Sequence, residues 1–211
     1  MYQKFGKRLI DLVLSAIGIV VLAPVWLILA IAIKIDDPGP VFFRQKRIAQ
    51  DKNGEQQFFQ IYKYRSMKMC TPKDTPTHLL ENPEQYITKV GGFLRKTSLD
   101  ELPQIFNIFA GQMSIIGPRP ALWNQDDLYE ERAKYGANGV KPGLSGWAQI
   151  NGRDELPIEV KARLDGEYVE KLSFGFDVKR FFGTITSVLK HDGVVEGGTG
   201  AMEKEKEEAE K

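Results

Sequence analysis

The longest apolar stretch of the chain covers residues 12–33, about 22 positions without a charge. A straight helix of that length crosses a hydrocarbon core of about 30 Å. Pro24 lies in the middle of the stretch, where a proline removes a backbone hydrogen bond and kinks the helix. Neither half is then long enough to span a bilayer alone.

Basic residues flank both ends of this stretch, which favours both ends on the cytoplasmic side. They are Lys4, Lys7 and Arg8 before it, and Lys34, Arg44, Lys46 and Arg47 after it. Three interpretations compete: a re-entrant helical hairpin, a kinked single span, and a cleaved signal or buried core helix. The apolar region is longer than the roughly 7–15 residues of a signal peptide. We therefore expect residues 1–40 to form a permanent membrane anchor, a re-entrant hairpin bent at Pro24.

Shorter patterns beyond the anchor predict an α/β domain. Residues 41–43 are strand-like, and residues 58–65 alternate as in a half-buried strand. Apolar positions recur at helical spacing at 102–109 and 176–190, and two further helices are predicted, a charged, mostly solvated one at 124–135 and another at 157–171. We expect a small mixed sheet around Val41 and Tyr62, surrounded by helices, with amphipathic helices at the bilayer surface. The predicted catalytic domain covers residues 41–195. Residues 196–211 are rich in Gly, Glu and Lys without apolar periodicity, which is typical of a disordered tail.

Two adjacent carboxylates, Asp100 and Glu101, stand where the helix at 102–109 should start. A helix start attracts phosphate and keeps a carboxylate ionised. Two registers are open. Ser98 as N-cap makes Glu101 a capping residue but places Pro103 at the fifth helical position, where it is costly. Asp100 as N-cap puts that proline in the first turn instead.

Several other residues are candidates for phosphate or nucleotide binding. Arg119 stands between Pro118 and Pro120, whose fixed φ angles stiffen the backbone that presents its guanidinium. Lys63 and Arg65 lie on the predicted strand at 58–65. In the Gly-rich loop at 141–153, the side chains of Trp147, Gln149 and Arg153 would form a platform for a nucleotide base, or Trp147 would anchor the core.

Composition excludes several functional classes. One cysteine, Cys70, rules out an internal disulfide, and the chain has no Cys/His cluster for zinc. A net charge of +1 with scattered basic residues argues against a nucleic-acid partner. The two histidines lie far apart, so acid–base chemistry based on histidine has no support. Asp36 and Asp37 precede a Pro-Gly-Pro turn, where such a pair is more often a turn cap than a metal site.

Taken in order, these motifs resemble those of the bacterial sugar transferases, the monotopic polyprenyl-phosphate phosphoglycosyl transferases, over about residues 4–195. The resemblance rests on Lys7-Arg8 with Asp11, Asp37-Pro38-Gly39-Pro40-Val41, Tyr62-Lys63-Tyr64-Arg65-Ser66-Met67, Thr97-Ser98-Leu99-Asp100-Glu101-Leu102-Pro103-Gln104, Gly117-Pro118-Arg119-Pro120 and Pro142-Gly143-Leu144-Ser145-Gly146-Trp147. Any one of these is a weak signal. Their shared order makes the resemblance specific.

The resemblance implies transfer of a sugar 1-phosphate from a UDP-sugar to undecaprenyl phosphate, with release of UMP, at the cytoplasmic face of the bacterial inner membrane. It implies that Asp100 is the nucleophile of a covalent phosphosugar intermediate and that Glu101 helps to hold Mg²⁺, with Mn²⁺ as a substitute. Arg95 and Arg119 would contact phosphates, with Lys63 and Arg65 as weaker candidates. Phosphoryl transfer depends on charge neutralisation and positioning, which suits such residues.

Two further points follow from the resemblance. The family often has serine before the hairpin proline, where a hydroxyl can satisfy a freed carbonyl, but this chain has Ala23. That backbone must therefore find its hydrogen bond elsewhere. Besides the two substrates and the bilayer, a second copy of the chain or other glycan-assembly enzymes are open as partners. The rival function is a catalytically inert, membrane-anchored scaffold of a glycan-assembly complex.

Overall fold

A computed structural model of the chain describes residues 2–71, 82–152 and 156–190. It opens with a π-helical turn, Tyr2–Gly6, followed by α1 (Lys7–Val21) and α2 (Ala23–Asp36). The two helices meet at 61°. Among the described residues no single helix is long and apolar enough to cross a membrane, whereas this bent pair together meets the criteria of length and composition. The predicted break at Pro24 is confirmed, while insertion as a hairpin stays a prediction.

In the described ranges, four strands form two separate sheets. β1 (Phe42–Ile48) pairs with β2 (Phe58–Tyr64) in antiparallel fashion, and β3 (Ser114–Ile116) pairs with β4 (Gly143–Ser145) in parallel. The α/β class is therefore confirmed, but the expectation of one mixed sheet is wrong. Prolines follow β3 and precede β4, and they limit both strands to three residues.

The other helices surround these strands. They are α3 (Lys89–Lys96), α4 (Gln104–Phe109), α5 (Asp126–Ala133), α6 (Trp147–Ile150), α7 (Ile158–Glu170) and α8 (Phe174–Lys190), with 3₁₀ turns at Pro83–Tyr86, Leu99–Glu101 and Ala137–Gly139. The helices predicted at 124–135, 157–171 and 176–190 are confirmed as α5, α7 and α8. The predicted tail at 196–211 lies outside the described residues. The domain boundary at residue 40 stays a prediction.

The core of the described residues contains three apolar clusters. The first joins α2 to β2 and α3, the second joins β1 to α5 and α7, and the third joins β2 to α4. Their buried members are Leu29, Ile33, Tyr64 and Leu94; then Ile48, Ala121, Leu128 and Ala162; then Phe59, Ile61, Ile108 and Met113. Leu99 and Leu102 pack on the first cluster and Ile108 belongs to the third. The segment that carries Asp100 and Glu101 therefore lies between these two clusters.

Candidate active site

Asp100 and Glu101 lie in the 3₁₀ turn Leu99–Glu101, and α4 begins only at Gln104. The helix start predicted at the carboxylates is therefore displaced towards the C-terminus. Pro103 occupies the N-cap of α4, where its missing N–H costs nothing. Ser98 precedes the turn with φ +57° and forms no capping hydrogen bond with its side chain. Neither predicted register is observed, and the capping-box interpretation is wrong.

The left-handed backbone of Ser98 is uncommon for a residue other than glycine. Such conformations persist where the surrounding structure over-determines them, often at active sites. Here the flanking segments hold Ser98 from both sides. The N–H of Ser98 donates to the carbonyl of Arg95, and the carbonyl of Ser98 accepts from the N–H of Glu101, at 3.1 and 3.2 Å. The turn that presents the carboxylate pair is thus tied to the end of α3.

Glu101 is the centre of an ion-pair cluster drawn from three parts of the chain. Its Oε1 accepts from Lys63 Nζ of β2 at 2.8 Å and from Arg119 Nη2 at 3.1 Å. The side chain of Glu101 is 17% exposed. Burial alone would raise the pKa of this carboxyl, but the charges of Arg119 and Lys63 hold it well below its usual range. Glu101 is therefore ionised throughout the physiological pH range.

Asp100 has a different environment from its neighbour. Burial raises the pKa of its carboxyl, and the charge of Glu101 raises it further, while Lys63, Arg95 and Arg119 lower it. Within the described part of the chain, its carboxylate forms no hydrogen bond or ion pair. Two adjacent carboxylates with opposite pKa shifts are a recurrent sign of divided chemical roles. Asp100 is the reactive candidate because it is not neutralised by direct contact.

Arg95 is positioned by the junction of β2 and α3. Its Nε donates to Ser66 Oγ at 3.0 Å. Gly91 on α3 allows this close approach, because a Cβ there would lie 1.9 Å from the carbonyl oxygen of Ser66. The side-chain oxygen of Thr88 caps α3 by accepting from the N–H of Gly91. The predicted phosphate ligand Arg95 therefore stands on a well-fixed helix and acts on Asp100 through its charge.

Arg119 stands on a loop that is held from two directions. On one side, Gly117 N–H donates to the carbonyl of Ser145 and Gly143 N–H donates to that of Pro118, both at 2.8 Å. A Cβ on Gly143 would lie 2.1 Å from Gly117 N, so this contact requires glycine. The stiff presentation predicted for Arg119 thus has a structural basis.

Arg47 holds the loop from the other side, a role that the sequence interpretation missed. Its Nη1 donates to the carbonyl of Pro120 at 3.0 Å, and its Nη2 donates to Gln45 Oε1 at 2.7 Å. The sequence-based prediction named Arg47 only among the basic residues that flank the apolar stretch. Alternation along β1 places its side chain on the more buried face of the strand, with that of Gln45. The alternation was the signal that could have found it.

Other predicted binding residues are not brought into this cluster. The guanidinium of Arg65 is bound by the carboxylate and carbonyl of Asp37 and by the carbonyl of Pro40. Gln149 Nε2 donates to the carbonyl of Leu144 at 3.2 Å. Arg153 lies outside the described residues. As substrate contacts, these three residues stay predictions.

Within the described residues, the bonds of the Asp36 and Asp37 carboxylates go to segments distant in sequence, so the turn-capping role preferred for the pair is not the one observed. Asp36 Oδ2 accepts from the N–H of Val90 at 2.7 Å, near the start of α3. Asp37 holds Arg65 and also accepts from the N–H of Met69 at 3.1 Å. The two carboxylates therefore bind the C-terminal end of α2 to the start of α3 and to the segment that follows β2.

Trp147 is anchored by its neighbours. Its ring lies under the guanidinium of Arg180, 3.7 Å from Cζ to the ring centroid, and its indole N–H donates to Glu167 at 3.2 Å. Phe176 meets it edge-to-face at 6.1 Å. These contacts join α6, α7 and α8, as expected of a core anchor. One face of the ring is thus already covered.

In the described ranges, no group of three or more His, Cys, Asp or Glu side chains is arranged to hold a metal ion. The donors at the candidate site are the two carboxylates of Asp100 and Glu101. Mg²⁺ is commonly held by one or two carboxylates, with substrate phosphates and water completing its shell. The donor set therefore fits a magnesium ion that binds together with a phosphorylated substrate.

A large apolar surface accompanies the site. The segment Tyr2–Asp36 and α8 expose many large apolar side chains: Phe5, Leu9, Val13, Leu14, Ile17, Val20, Val21, Leu27, Ile28, Ile31 and Ile35 on the first, and Phe174, Val178, Phe181 and Phe182 on the second. Large exposed apolar patches are typical of surfaces that contact lipid or another protein.

Comparison with known proteins places the chain in a family. The model of the family described as Bacterial sugar transferase matches residues 2–191. A UDP-glucose:undecaprenyl-phosphate glucose-1-phosphate transferase of Escherichia coli (strain K12) is 40% identical over 186 residues, which are 85% of this chain and 39% of that protein. A sugar transferase of Bacillus subtilis (strain 168), named as uncharacterised, is 39% identical over 189 residues, 89% of each chain.

A third relative is named for a different sugar from that of the E. coli relative. A UDP-N-acetylgalactosamine-undecaprenyl-phosphate N-acetylgalactosaminephosphotransferase of Aeromonas hydrophila is 34% identical over 190 residues, which are 88% of this chain and 44% of that protein. The chain thus spans less than half the length of the E. coli and A. hydrophila relatives, and most of the length of the B. subtilis relative. With the family model matching nearly its whole length, this chain belongs to the bacterial sugar transferase family.

Proposed function

We propose that the protein transfers a sugar 1-phosphate from a UDP-sugar to undecaprenyl phosphate, releasing UMP. The names of the E. coli and A. hydrophila relatives support this reaction class. The observation that carries the proposal is the pair Asp100 and Glu101: Lys63 and Arg119 neutralise Glu101, while Asp100 has no direct partner in the described residues. In such a pair, one carboxylate can act as the nucleophile while the other holds the neighbouring cations in place.

In the first step, a carboxylate oxygen of Asp100 attacks the phosphorus that carries the sugar. The bond from that phosphorus to the oxygen bridging the two phosphates breaks, and UMP leaves with the bonding electrons. The product is an aspartyl phosphosugar. Arg119 and Arg95 neutralise the oxygens of the phosphoryl group, which is the main demand of this chemistry.

In the second step, an oxygen of undecaprenyl phosphate attacks the same phosphorus. The carboxylate of Asp100 leaves, and the products are a sugar-diphosphate lipid and the regenerated enzyme. A covalent intermediate divides the reaction between a soluble donor and a lipid acceptor into two displacements. Each substrate then meets Asp100 separately, so one nucleophile serves both.

Mg²⁺, or Mn²⁺ in its place, would be held by Glu101 and by the diphosphate of the donor. When bound, the ion neutralises phosphate charge and helps UMP to leave. Only Oε1 of Glu101 contacts Lys63 and Arg119, and Oε2 forms no hydrogen bond or ion pair within the described ranges. Glu101 can thus keep its two cationic partners and still offer an oxygen to a metal.

The bent helix pair and α8 would seat the enzyme in the cytoplasmic face of the bacterial inner membrane. The 61° bend, the basic residues on both flanks and the exposed apolar surface all support a re-entrant hairpin. In this arrangement the lipid phosphate arrives at headgroup depth and the UDP-sugar arrives from the cytoplasm. The bilayer is therefore a partner of the enzyme as well as its support.

The experiment is release of UMP by purified protein in lipid nanodiscs, with undecaprenyl phosphate and a panel of UDP-sugars that includes glucose and N-acetylgalactosamine. Turnover with one of these donors, abolished by Asp100→Asn, supports the proposal. An inert scaffold would release no UMP with any donor. The panel also identifies the sugar, because the rates with different donors are compared in one preparation.

A further inference from the structure

The break between α1 and α2 leaves backbone groups without their usual helical partners. In an uninterrupted helix, the carbonyls of Ile19 and Val20 would accept from the N–H groups of residues 23 and 24. Pro24 has no N–H, and the helices diverge by 61° at this point. Water satisfies such carbonyls in a soluble protein, but a hydrocarbon environment offers no donor. The chain itself must supply one.

Only one side chain in this part of the sequence can do so. From Ala16 to Ile33 every residue except Trp26 has a side chain without a hydrogen-bonding atom. In the structure, Trp26 Nε1 donates to the carbonyl of Ile19 at 3.2 Å. The indole thus reaches back across the break and satisfies a carbonyl in the last turn of α1. Ala23, next to the proline, has no polar atom with which to do this.

The Trp26 side chain also contacts α4 and β2, the elements next to the turn that carries Asp100 and Glu101. The Trp26 ring lies 5.2 Å from that of Phe106 on α4 and 6.0 Å from that of Tyr64 on β2, measured between centroids. The hydroxyl of Tyr64 donates to the carbonyl of Trp26 at 3.3 Å. Burial raises the pKa of Tyr64 to about 12, so this hydroxyl remains a donor at physiological pH. Trp26 is therefore bound to α1 through the carbonyl of Ile19 and to β2 and α4 through Tyr64 and Phe106.

These contacts lie next to the ion-pair cluster. Tyr64 follows Lys63 directly in β2, and Phe106 lies on the helix that follows Glu101. The other arm of the hairpin meets the same helix, because Gly18 of α1 faces Ile105, whose Cδ1 would lie 2.5 Å from a Cβ at position 18. Both arms thus pack on α4, and the angle between them is fixed relative to Asp100 and Glu101.

We infer that Trp26 is a positioning residue that fixes the angle between α1 and α2 and holds this bent pair against α4 and β2. Its indole N–H does so by a hydrogen bond across the break, and its ring by contacts with Phe106 and Tyr64. Where the proposed function holds, this bend determines how the lipid acceptor meets Asp100. Formation of the aspartyl phosphosugar from the soluble donor does not depend on it. Loss of the indole N–H should therefore slow the acceptor step and leave the donor step unchanged.

The test separates the N–H from the ring. Trp26→Phe removes the donor and keeps an aromatic ring, and Ala23→Ser/Trp26→Phe restores a donor inside the break. Leu27→Ala is the matched control, because Leu27 is the next residue on α2 and is 63% exposed. All variants are made in a Cys70→Ser background, since Cys70 is exposed and would react with thiol probes.

The first readout is structural and independent of activity. Spin labels on cysteines at Leu9 and Ile35, both exposed and at the outer ends of the two arms, report the distance between the arms in nanodiscs by pulsed electron resonance. We expect one narrow distribution in the parent and in Leu27→Ala, a broadened or shifted one in Trp26→Phe, and a narrow one again in the double variant. An unchanged distribution in Trp26→Phe overturns the inference, whatever the enzyme does.

The second readout is kinetic. In Trp26→Phe we expect turnover with undecaprenyl phosphate to fall about tenfold, the scale of one lost buried hydrogen bond, with recovery in the double variant. The yield of labelled adduct from UDP-sugar without acceptor should match that of the parent. An equal loss in both half-reactions contradicts a role confined to the bend. Absence of turnover in the parent would contradict the proposed function alone and leave the distance measurement valid.

Discussion

The ammonium of Lys63 lies 2.8 Å from Oε1 of Glu101, and this ion pair joins β2 to the turn that carries Asp100. The two residues are 38 positions apart in sequence, and α3 lies between them. Arg119 Nη2 donates to the same oxygen at 3.1 Å. The site is thus assembled from three separate parts of the chain around one carboxylate, and the carboxylate next to it is left for chemistry.

The first prediction concerns Lys63 and pH. Lys63→Met removes a positive charge that lowers the pKa of Asp100, so that pKa should rise. Because an ionised Asp100 is needed for attack, the acid limb of the profile of kcat/KM against pH should move to higher pH. Activity at neutral pH should fall by about tenfold or more.

Lys63→Arg keeps the charge and should restore the position of the acid limb, although its geometry differs. Lys52→Met is the control, because Lys52 is exposed and distant in the fold from the cluster. An acid limb that stays in place in Lys63→Met would contradict the electrostatic role of this ion pair.

The second prediction links Asp100 to stability. Burial raises the folded-state pKa of Asp100 above its unfolded value, so its charge disfavours the folded state at neutral pH. Asp100→Asn should therefore raise the melting temperature at pH 7 by a few degrees, since 1 kcal/mol corresponds to about 2–4 °C for a domain of this size. The gain should shrink as the pH falls through the raised folded-state pKa towards the unfolded value, and it should vanish where both states are protonated. The measurement is thermal unfolding at pH 7 and at pH 4 in the same lipid or detergent.

Asp126→Asn serves as the stability control, since Asp126 is exposed in the first turn of α5. It should lower the melting temperature slightly or leave it unchanged, because an acidic residue there favours the helix. A lower melting temperature in Asp100→Asn would mean that Asp100 has a stabilising partner, and would argue against its assignment as an uncommitted nucleophile.

The third prediction concerns the Arg119 loop. Arg47→Gln should remove the hydrogen bond to the carbonyl of Pro120 and loosen the presentation of Arg119. We expect kcat/KM for the UDP-sugar to fall by about 5- to 30-fold, the effect of losing about 1–2 kcal/mol of positioning. Steady-state kinetics with varied donor concentration measures this directly.

Arg44→Gln is the matched control, because Arg44 lies on the other face of the same strand, exposed, with its Cζ 5.0 Å from the ring centroid of Tyr62. It should change kcat/KM by less than about twofold. Equal losses in the two variants would show that the total charge of β1 matters and that the bond to Pro120 does not.

The fourth prediction concerns the metal. EDTA should stop turnover by the wild type, and Mg²⁺ or Mn²⁺ should restore it, because hard carboxylate and phosphate oxygens prefer such ions. Glu101→Gln should require a much higher concentration of metal for half-maximal activity. Full activity of the wild type in EDTA would reject the metal assignment for Glu101.

Much of the fold could be predicted because long periodic segments report burial directly. The position of α8 follows from apolar spacing, α5 was predicted as a charged, solvated helix, and the break at Pro24 follows from the chemistry of proline. The separation of the strands into two sheets could not be predicted, since it depends on which distant strands meet.

The candidate site was predictable in its residues and only partly in its geometry. Asp100, Glu101 and Arg119 could be identified from motif and charge. The 3₁₀ turn could not, because it depends on the left-handed Ser98 and on contacts made by residues flanking it. Alternation along β1 could have placed Arg47 on the more buried face, but the bonds of Arg47 and Trp26 to the carbonyls of Pro120 and Ile19 could not be predicted, because the sequence does not show which backbone carbonyl a side chain reaches.

The most direct test of the account is covalent labelling of Asp100. Purified protein is incubated with a UDP-sugar labelled in the sugar, with divalent metal and without lipid acceptor, and the adduct is located by mass spectrometry of peptides. The account predicts a sugar phosphate on the peptide that contains Asp100, its discharge on addition of undecaprenyl phosphate, and none in Asp100→Asn. An adduct that persists in Asp100→Asn, or that forms at another residue, would contradict it.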